Sequence, residues 1–594
     1  MRGTSSVCRV AALVVAVSST VLGLAIDETW TRPPSRILQW QAASDGAAPV
    51  VDLDYERYQG YYNPTFGLNI YRGVRFAAPP RRWQLPEMPA VNRTAIISAT
   101  VDPPRCPQAG PGPTPATVDF ETNIQGNEDC LFLNVFSPKN ATKLPVVVWI
   151  HGGGYGLGSA PSFDFNYIGQ TVNNGFVAVA IQYRLGAFGF LSSTEVAKHG
   201  TVNAGVYDMH FALQWVQKYI SRFGGDPDQV TITGESAGGG SVMLMAMANG
   251  GSEGTKLFRR GIASSPYYPT QPNFDDGMPT DYYLQFARRA ECLGDNETAP
   301  TDGSLFRCLE KTDTVTLQNA SAYTSYAAKN GQWAFIPVTD GKLIREQPTE
   351  QLLAGRVNGE QMLAGSNANE GTYFVPNNIT TADRFLAYIR LNWPGLTSAA
   401  IESVLKHYSF PDTITAAHPK FDTDGLHPPF ATAVSGAAVG WQQAAYNLYA
   451  ETTFVCPAYW LADAYTGRGA GKKAWRYQVS TPNAFHGVDV GFLTGDPVAT
   501  GATGVAGEGF RRGFQEIWGR FIVGGDPTLN GTGVGLAAAS EERWRVWGEG
   551  GTHDMLNLNV TQGTGTAEWS VVDALKFEDG RGRRCALWAE VGVR

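Results

Sequence analysis

The sequence predicts an α/β fold, in which a mostly parallel central sheet is covered by helices on both faces. Three observations support it: short apolar runs bounded by turn residues, amphipathic stretches between those runs, and alternation of the two from Pro145 onward. Continuously apolar strands are typical of parallel sheets, because helices bury both faces of such a sheet.

The predicted elements can be taken in chain order. The first buried strand, LPVVVWI, ends at Ile150, and a second, FVAVAIQY, covers Phe176–Tyr183. The stretch Met209–Phe223 carries apolar residues at helical spacing and stops at two glycines. Four later runs, QVTITG, GIASS, QMLAG and AWRYQV, are expected to be further strands. Ligands of such folds bind beyond the carboxyl ends of the strands, so we expect functional residues in the loops there.

Composition and charge exclude two classes of partner. The 594-residue chain is 43% hydrophobic and 17% charged, as in ordinary globular proteins, and its net charge is -8. It has no Lys/Arg-rich run, so nucleic acid and anionic membrane surfaces are not expected to bind, because phosphate binding depends on cationic side chains. After the N-terminus, no stretch reaches the ~20 apolar residues of a membrane-spanning helix, so no stable membrane anchor is expected. The sequence does not specify an oligomeric state.

Residues 1–25 have the pattern of a secretory signal peptide. Arg2 and Arg9 form a positive region, Val10–Leu24 is apolar, and Gly23-Leu24-Ala25 offers small residues for cleavage. The remaining chain, residues 26–594, is therefore expected to be secreted.

Cysteines and sequons agree with an extracellular location. Once Cys8 leaves with the signal peptide, six cysteines remain, an even number that favours three disulfides. Neither C-x-x-C nor H-E-x-x-H occurs, so no zinc site is predicted. Seven N-x-[ST] sequons predict a glycoprotein, and they begin at Asn92, Asn140, Asn296, Asn319, Asn378, Asn530 and Asn559.

The pattern G-x-S-x-G, which is typical of the nucleophile turn of serine hydrolases, occurs twice. Ser236 lies in GESAG, between the β-branched run Val230–Thr233 and the helix-compatible stretch SVMLMAMA. That order of strand, sharp turn and helix is the one that exposes a nucleophile at a helix N-terminus. Ser252 lies in GGSEG just past a predicted helix end and is interpreted as a loop residue.

A nucleophilic serine needs oxyanion donors, a base and an acid. HGGGYGLG begins at His151, directly after a strand, and its glycines leave backbone N–H groups accessible. His486, in a loop after the late strand AWRYQV, is the favoured base among the downstream histidines. His407 and His427 are interpreted as ordinary surface or packing residues, and His418 and His553 are the other downstream candidates. For the acid, Glu370 in SNANEG and Asp340 in PVTDG both remain open on spacing alone.

Taken together, these residues resemble the type-B carboxylesterases, a family that includes cholinesterases and Candida-type lipases. The resemblance covers roughly residue 50 to the end and implies an α/β-hydrolase fold in one large domain over residues 26–594. The matching stretches, in family order, are EDCLFLNVFSP, PVVVWIHGGGYGLGS, NAGVYDMHFALQWVQKYISRFGGDPDQVTITGESAGGGSV, FIPVTDG, SNANEGTYF and FHGVDVGF.

The resemblance also implies roles for particular residues. It selects Glu370 over Asp340 as the acid, since the family's acid is the Glu of an N-x-x-E-G turn. It assigns the oxyanion donors to the backbone N–H groups of Gly153, Gly154 and Ala237. By position, the candidate pocket-lining aromatic residues are Tyr155, Tyr373 and Phe374. The implied disulfides are Cys106–Cys130, Cys292–Cys308 and Cys456–Cys585.

Departures from the family pattern narrow the expected substrate. The loop closed by the first implied disulfide contains no Trp, whereas cholinesterases use a Trp there to stack on choline. The same loop has few large apolar residues, which argues against the hydrophobic lid of family lipases. We therefore expect a secreted serine esterase that hydrolyses uncharged or aromatic esters and requires no metal or organic cofactor. A lipase and a non-catalytic adhesion protein are the alternatives.

Overall fold

Strands and helices alternate along most of the chain. In the computed structural model the described residues are 48–114, 124–408, 430, 435–467, 471–482, 484–495, 506–529, 544–561 and 564–592. The strands are β1 (Val50–Asp52), β2 (Arg57–Gln59), β3 (Tyr61–Asn63), β4 (Leu68–Arg75), β5 (Ile96–Ser98), β6 (Phe132–Pro138), β7 (Leu144–Ile150), β8 (Val177–Ile181), β9 (Gly225–Glu235), β10 (Arg260–Ser264), β11 (Gln361–Asn367), β12 (Lys473–Val479), β13 (Asp554–Val560) and β14 (Ala567–Asp573).

The helices vary from five to 17 residues in length. They are α1 (Asn166–Thr171), α2 (Gly186–Phe190), α3 (Thr194–His199), α4 (Ala204–Tyr219), α5 (Ala237–Met247), α6 (Gly277–Arg289), α7 (Ser304–Lys311), α8 (Thr314–Tyr326), α9 (Pro348–Leu353), α10 (Ala382–Asn392), α11 (Ser398–His407), α12 (Gly440–Ala450), α13 (Cys456–Thr466), α14 (Val488–Thr494), α15 (Glu508–Gly524) and α16 (Phe577–Val591). A π-helical turn, Glu451–Val455, joins α12 to α13.

An 11-stranded sheet organises the described chain, with the order β14-β13-β12-β11-β10-β9-β7-β8-β6-β4-β3. From β13 to β8 every neighbouring pair is parallel, and the strands toward both edges pair antiparallel. A separate small sheet contains β1, β2 and β5. The predicted α/β class and the mostly parallel sheet are confirmed.

Both faces of the sheet are buried, as the strand β7 illustrates. Val146, Val148 and Ile150 belong to one hydrophobic cluster, whereas Val147 and Trp149 belong to a second. Because successive side chains of a strand point to opposite faces, these two clusters are the cores on the two sides of the sheet. This burial explains why the sequence reads as continuously apolar here rather than alternating.

The register aligns the carboxyl ends of the central strands at one edge. Gly234 of β9 lies opposite Ile150 of β7 and Ala263 of β10, and Ser264 of β10 lies opposite Gly365 of β11. The loops that leave β7, β9, β10 and β11 therefore start side by side. Residues 1–47, which include the predicted signal peptide, lie outside the described part of the chain.

Candidate active site

Ser236 occupies the sharp turn between β9 and α5 that the sequence predicts. Its backbone has φ 61° and ψ -127°, a strained combination for a residue with a side chain. The neighbouring glycines are required by close packing: a Cβ on Gly234 would lie 2.4 Å from the carbonyl carbon of Gly238, and one on Gly238 would lie 2.1 Å from the Ile150 oxygen. The turn thus holds the serine hydroxyl at the N-terminus of α5.

The His486 imidazole bridges this serine and a buried carboxyl group. Nε2 lies 2.8 Å from Oγ of Ser236, and Nδ1 lies 2.5 Å from Oε2 of Glu370. With its proton on Nδ1, the ring donates to Glu370 and accepts from the serine hydroxyl. Loops after three strands, β9, β11 and β12, supply the three side chains, which are brought together from distant parts of the sequence.

Glu370 begins a short 3-10 turn just after β11 and is fully buried. Its Oε1 accepts a hydrogen bond of 2.6 Å from the Ser265 hydroxyl and one of 2.5 Å from the backbone N–H of Asn367. These bonds leave Oε2 directed at His486. Asp340, the alternative acid, instead accepts from the Asn203 amide and from backbone N–H groups of its own turn.

The glycine loop after β7 passes close to the serine. A Cβ on Gly152 would lie 3.1 Å from Cβ of Ser236, so a side chain there would crowd the nucleophile. Gly153 and Gly154 follow with φ of 106° and 62°. Within the described chain, the N–H groups of these two glycines donate to no other protein group, and the N–H of Ala237, at the start of α5, has no intrahelical acceptor. These three N–H groups are therefore the candidate oxyanion donors.

The three predicted pocket aromatics occupy different environments. Phe374 packs edge-on against His486, with ring centroids 5.2 Å apart. Tyr373 is 41% exposed and contacts Phe485. The ring of Tyr155 is instead in the core, with only 1% of its surface exposed.

Glu235, the residue before the nucleophile, is a site residue that the sequence analysis missed. Its Oε1 lies 3.2 Å from Nε2 of His486. Burial raises the pKa of Glu235 to about 8. Burial also opposes the charge of His486, but the neighbouring carboxyl groups of Glu235 and Glu370 outweigh it and raise the pKa of His486 to about 9. The two groups therefore titrate as a coupled pair. The sequence signal that could have identified Glu235 is an acidic residue at the end of a buried strand.

Phe454 is a second residue that sequence patterns did not identify. It lies in the π-helical turn, is fully buried, and its ring centroid is 4.3 Å from that of His486. Together with Phe374 it encloses the imidazole in aromatic surface, which limits the water around the base.

The remaining sequence candidates lie in ordinary environments where the structure describes them. Ser252 is exposed, and its hydroxyl bonds to the Asn249 carbonyl next to it. His407 bonds to Ser403 within its own helix, and His553 packs on Trp547. His418 and His427 lie outside the described residues. Across the described residues, no group of three or more His, Cys, Asp or Glu side chains is arranged to hold a metal ion.

The three implied disulfides, Cys106–Cys130, Cys292–Cys308 and Cys456–Cys585, are all present. Five sequon asparagines lie at least partly on the surface, namely Asn92, Asn140, Asn296, Asn319 and Asn378. Asn559 is in β13 with 6% of its surface exposed, so its burial argues against a glycan there. Asn530 is outside the described residues.

Among the described helices, none is both long and apolar enough to span a membrane.

The chain is similar to known proteins in sequence and in fold. A family model described as the carboxylesterase family matches residues 47–569. The chain is 32% identical over 396 residues to Lipase 2 of Geotrichum candidum, covering 59% of this chain and 68% of that protein. It is 30% identical over 386 residues to a secreted triacylglycerol lipase of Gibberella zeae, covering 59% of this chain and 63% of that protein.

Two further matches bear on catalysis and fold. The chain is 31% identical over 409 residues to an inactive carboxylesterase-like protein of Byssochlamys spectabilis, covering 67% of this chain and 66% of that protein. Its fold is similar to the crystal structure of Aspergillus niger EstA, with 27% identity, a TM-score of 0.71, and coverage of 92% of this chain and 98% of that one. The alignments with the three sequence relatives thus span about two thirds of their lengths.

Proposed function

This chain belongs to the carboxylesterase family, and from that premise we propose that it hydrolyses carboxylic esters through an acyl-enzyme formed on Ser236. The observation that carries the proposal is the continuous hydrogen-bonded chain from the Ser236 hydroxyl through His486 to Glu370. A nucleophile, a base and a buried acid in that order are the groups that acyl transfer requires.

In the first step, His486 accepts the Ser236 proton as the hydroxyl oxygen attacks the ester carbonyl. Glu370 holds the proton-bearing Nδ1 and stabilises the imidazolium that forms, and Ser265 and Asn367 fix the carboxylate in turn. His486 then gives its proton to the leaving alcohol. In the second step a water molecule, deprotonated by His486, attacks the acyl-enzyme and releases the carboxylic acid.

The negative charge that develops on the carbonyl oxygen is stabilised by the N–H groups of Gly153, Gly154 and Ala237. Loss of one such donor in other enzymes costs about 10²–10³ in rate, because the bond is made in the transition state. The start of α5 adds its positive dipole end to the same place.

The decisive experiment uses both G-x-S-x-G serines. The full-length wild type is treated with a fluorophosphonate probe, the adduct is mapped by mass spectrometry, and Ser236→Ala is compared with Ser252→Ala. We expect the adduct on Ser236 and a fall of about 10³-fold or more in kcat/KM for Ser236→Ala, with wild-type behaviour for Ser252→Ala. Folded protein that remains unlabelled at Ser236 would instead support a non-catalytic role, as the inactive relative's name describes for that protein.

For the substrate, we favour soluble esters with apolar or aromatic groups over long-chain glycerides. Phe374 and Phe454 surround the base with aromatic surface, and the loop closed by Cys106–Cys130 is poor in large apolar residues. The lipase alternative has its own support in two relatives that are named as lipases. Rates on p-nitrophenyl butyrate and on emulsified triolein separate the two, and a rate increase only at the emulsion interface would favour the lipase.

Secretion is part of the proposal. The signal-peptide pattern of residues 1–25, three disulfides and exposed sequons all suit an extracellular protein. When the full-length chain is expressed in a secreting host, we expect the protein in the culture medium to begin at Ile26. Its apparent mass should fall on glycosidase treatment. Retention of residues 1–25 in the product would contradict cleavage.

A further inference from the structure

Tyr155 has an unusual backbone in the loop that supplies the oxyanion donors. It is the third of three consecutive residues with positive φ, at 106° for Gly153, 62° for Gly154 and 63° for Tyr155. Two of these positions are glycines, but Tyr155 carries a side chain in a region that disfavours it. Its conformation must therefore be held by contacts elsewhere in the fold.

The side chain of Tyr155 supplies such contacts. Its ring packs between Phe190 and Tyr267, with centroid distances of 5.3 and 5.8 Å. Its hydroxyl donates a hydrogen bond of 3.3 Å to the Tyr267 carbonyl. The same hydroxyl lies over the first turn of α5, where a Cβ on Gly240 would come within 2.4 Å of the oxygen.

Tyr267 and Gly240 also bind the backbone carbonyl of the nucleophile, whose N–H donates separately to the Ser264 carbonyl. The Ser236 carbonyl accepts one hydrogen bond from the Gly240 N–H, at 2.8 Å, and one from the Tyr267 N–H, at 3.0 Å. The Tyr155 hydroxyl therefore contacts the same short segments that fix Ser236.

The other hydrogen bonds of this loop lead elsewhere. The Tyr155 carbonyl accepts from Gly186, the Gly156 carbonyl accepts from Ala109, and Gly158 bonds to Gln108. Among the described hydrogen bonds of residues 152–158, the one from the Tyr155 hydroxyl leads to Tyr267, whose N–H in turn donates to the Ser236 carbonyl.

We propose that Tyr155 is a positioning residue, whose hydroxyl sets the oxyanion donors Gly153 and Gly154 at their working distance from Ser236. This inference rests on the proposed function, because it needs an oxyanion to be stabilised. It also gives Tyr155 a role other than the pocket wall expected from sequence. Burial raises the pKa of Tyr155, so its hydroxyl remains a donor over the working pH range.

The role predicts a specific kinetic signature. Oxyanion donors act on charge that develops in the transition state, so their displacement lowers kcat and leaves KM nearly unchanged. A pocket-wall residue would instead change KM, and a purely structural residue would change stability.

The test compares Tyr155→Phe with Tyr465→Phe in the full-length chain. Tyr465 is a matched control: it is also fully buried and donates its hydroxyl to a backbone carbonyl, that of Asn358. The measurements are kcat and KM on p-nitrophenyl butyrate, the Ki of a trifluoromethyl ketone that forms a tetrahedral adduct with the serine, and the thermal unfolding midpoint.

We expect Tyr155→Phe to lose roughly 10- to 100-fold in kcat, less than or comparable to deletion of one donor. KM should stay within about twofold, and the Ki of the ketone should rise by the same factor as kcat/KM falls. Tyr465→Phe should keep kcat and Ki within about twofold of wild type, with a similar loss of stability.

Three results would overturn the positioning role: a folded Tyr155→Phe with wild-type kcat, a change confined to KM, or a loss that Tyr465→Phe shares. A Tyr155→Phe variant that fails to fold while Tyr465→Phe folds would also overturn it, because Tyr155 would then be structural. Wild-type protein without esterase activity would refute the proposed function itself, and this inference with it.

Discussion

At the scale of single residues, Glu235 gives the base an additional carboxyl neighbour. His486 faces Glu370 on one ring nitrogen, whereas the other, Nε2, faces both the Ser236 hydroxyl and Glu235. Two carboxyl groups favour the imidazolium, which helps the step that forms it. They also raise the pH at which the free imidazole becomes available as a base.

The first prediction follows from that balance and concerns Glu235→Gln. The amide keeps the shape of the side chain but removes its charge, so the pKa of His486, raised to about 9 in the wild type, should fall toward its ordinary value of 6.5. Because only neutral His486 can accept the serine proton, the acidic limb of the kcat/KM profile should move to lower pH by roughly one unit or more. A pH series of kcat/KM between pH 5 and about 10 measures the shift.

A matched control for this prediction is Glu253→Gln. Glu253 also pairs with a histidine, His210 of α4 at 2.9 Å, and its carboxyl group accepts a second bond from the Asn249 amide. The acidic limb of this variant should coincide with that of the wild type. An unmoved limb in Glu235→Gln would show that the charge of Glu235 does not act on His486.

At the scale of elements, the π-helical turn between α12 and α13 connects the site to the C-terminal helix. One end of the turn, Glu451, is fully buried and pairs with Arg581 at 3.1 Å and Arg584 at 2.8 Å, both on α16. Three residues later, Phe454 contacts His486. A buried ion cluster thus anchors the segment that encloses the base, and π-helical turns are common at such functional positions.

The second prediction is that Glu451→Gln destabilises the protein strongly. Burial opposes ionisation of Glu451, but Arg584 and Arg581 outweigh it and lower its pKa. Removal of the carboxylate leaves two buried guanidinium groups without their counterion, at a cost of about 3–5 kcal/mol in the free energy of unfolding. Urea denaturation at pH 7 measures this loss.

The pH dependence gives a second check on the cluster. Because the folded-state pKa of Glu451 is lowered, its stabilisation is present above the unfolded value of 4.5 and is lost as the pH falls through the lowered value. The difference between wild type and Glu451→Gln should therefore shrink in acid. The control is Glu360→Gln, whose partner Arg259 is well exposed, with an expected loss below about 1 kcal/mol. Equal losses in the two variants would contradict the buried-cluster argument.

The elements that sequence predicted well are those whose cause is local. The strands that end at Ile150 and Glu235 could be predicted because burial on both faces requires continuously apolar or β-branched residues. The serine turn could be predicted because the glycines that its close packing requires lie within the same five-residue motif. The Glu451 cluster had no such signal, since its partners lie 130 and 133 residues away. The sequence also predicts a pocket position for Tyr155, because nothing near it in the chain indicates that its hydroxyl donates to the Tyr267 carbonyl.

At the scale of the whole molecule, an ion cluster and a disulfide connect α16 to the segment formed by the π-helical turn and α13. One is the Glu451 cluster, and the other is the disulfide between Cys456, the first residue of α13, and Cys585 of α16. The disulfide spans 129 residues, which include β12, β13 and the loop of His486. By contrast, the disulfide Cys292–Cys308 spans only 16 residues, from the loop after α6 into α7.

The last prediction compares the removal of these two disulfides by paired Cys→Ala substitution. A cross-link restricts the unfolded chain more when its loop is longer, so loss of Cys456–Cys585 should cost about 5 kcal/mol and loss of Cys292–Cys308 about 3 kcal/mol. When the loss of Cys456–Cys585 is combined with Glu451→Gln, the total loss in unfolding free energy should differ from the sum of the two separate losses. The two effects cannot be independent, because both links hold the same helix. Urea denaturation of the two double variants and of the triple variant measures these differences. Equal losses for the two disulfides, or strict additivity with Glu451→Gln, would show that α16 is held in place by its packing and not by these two links.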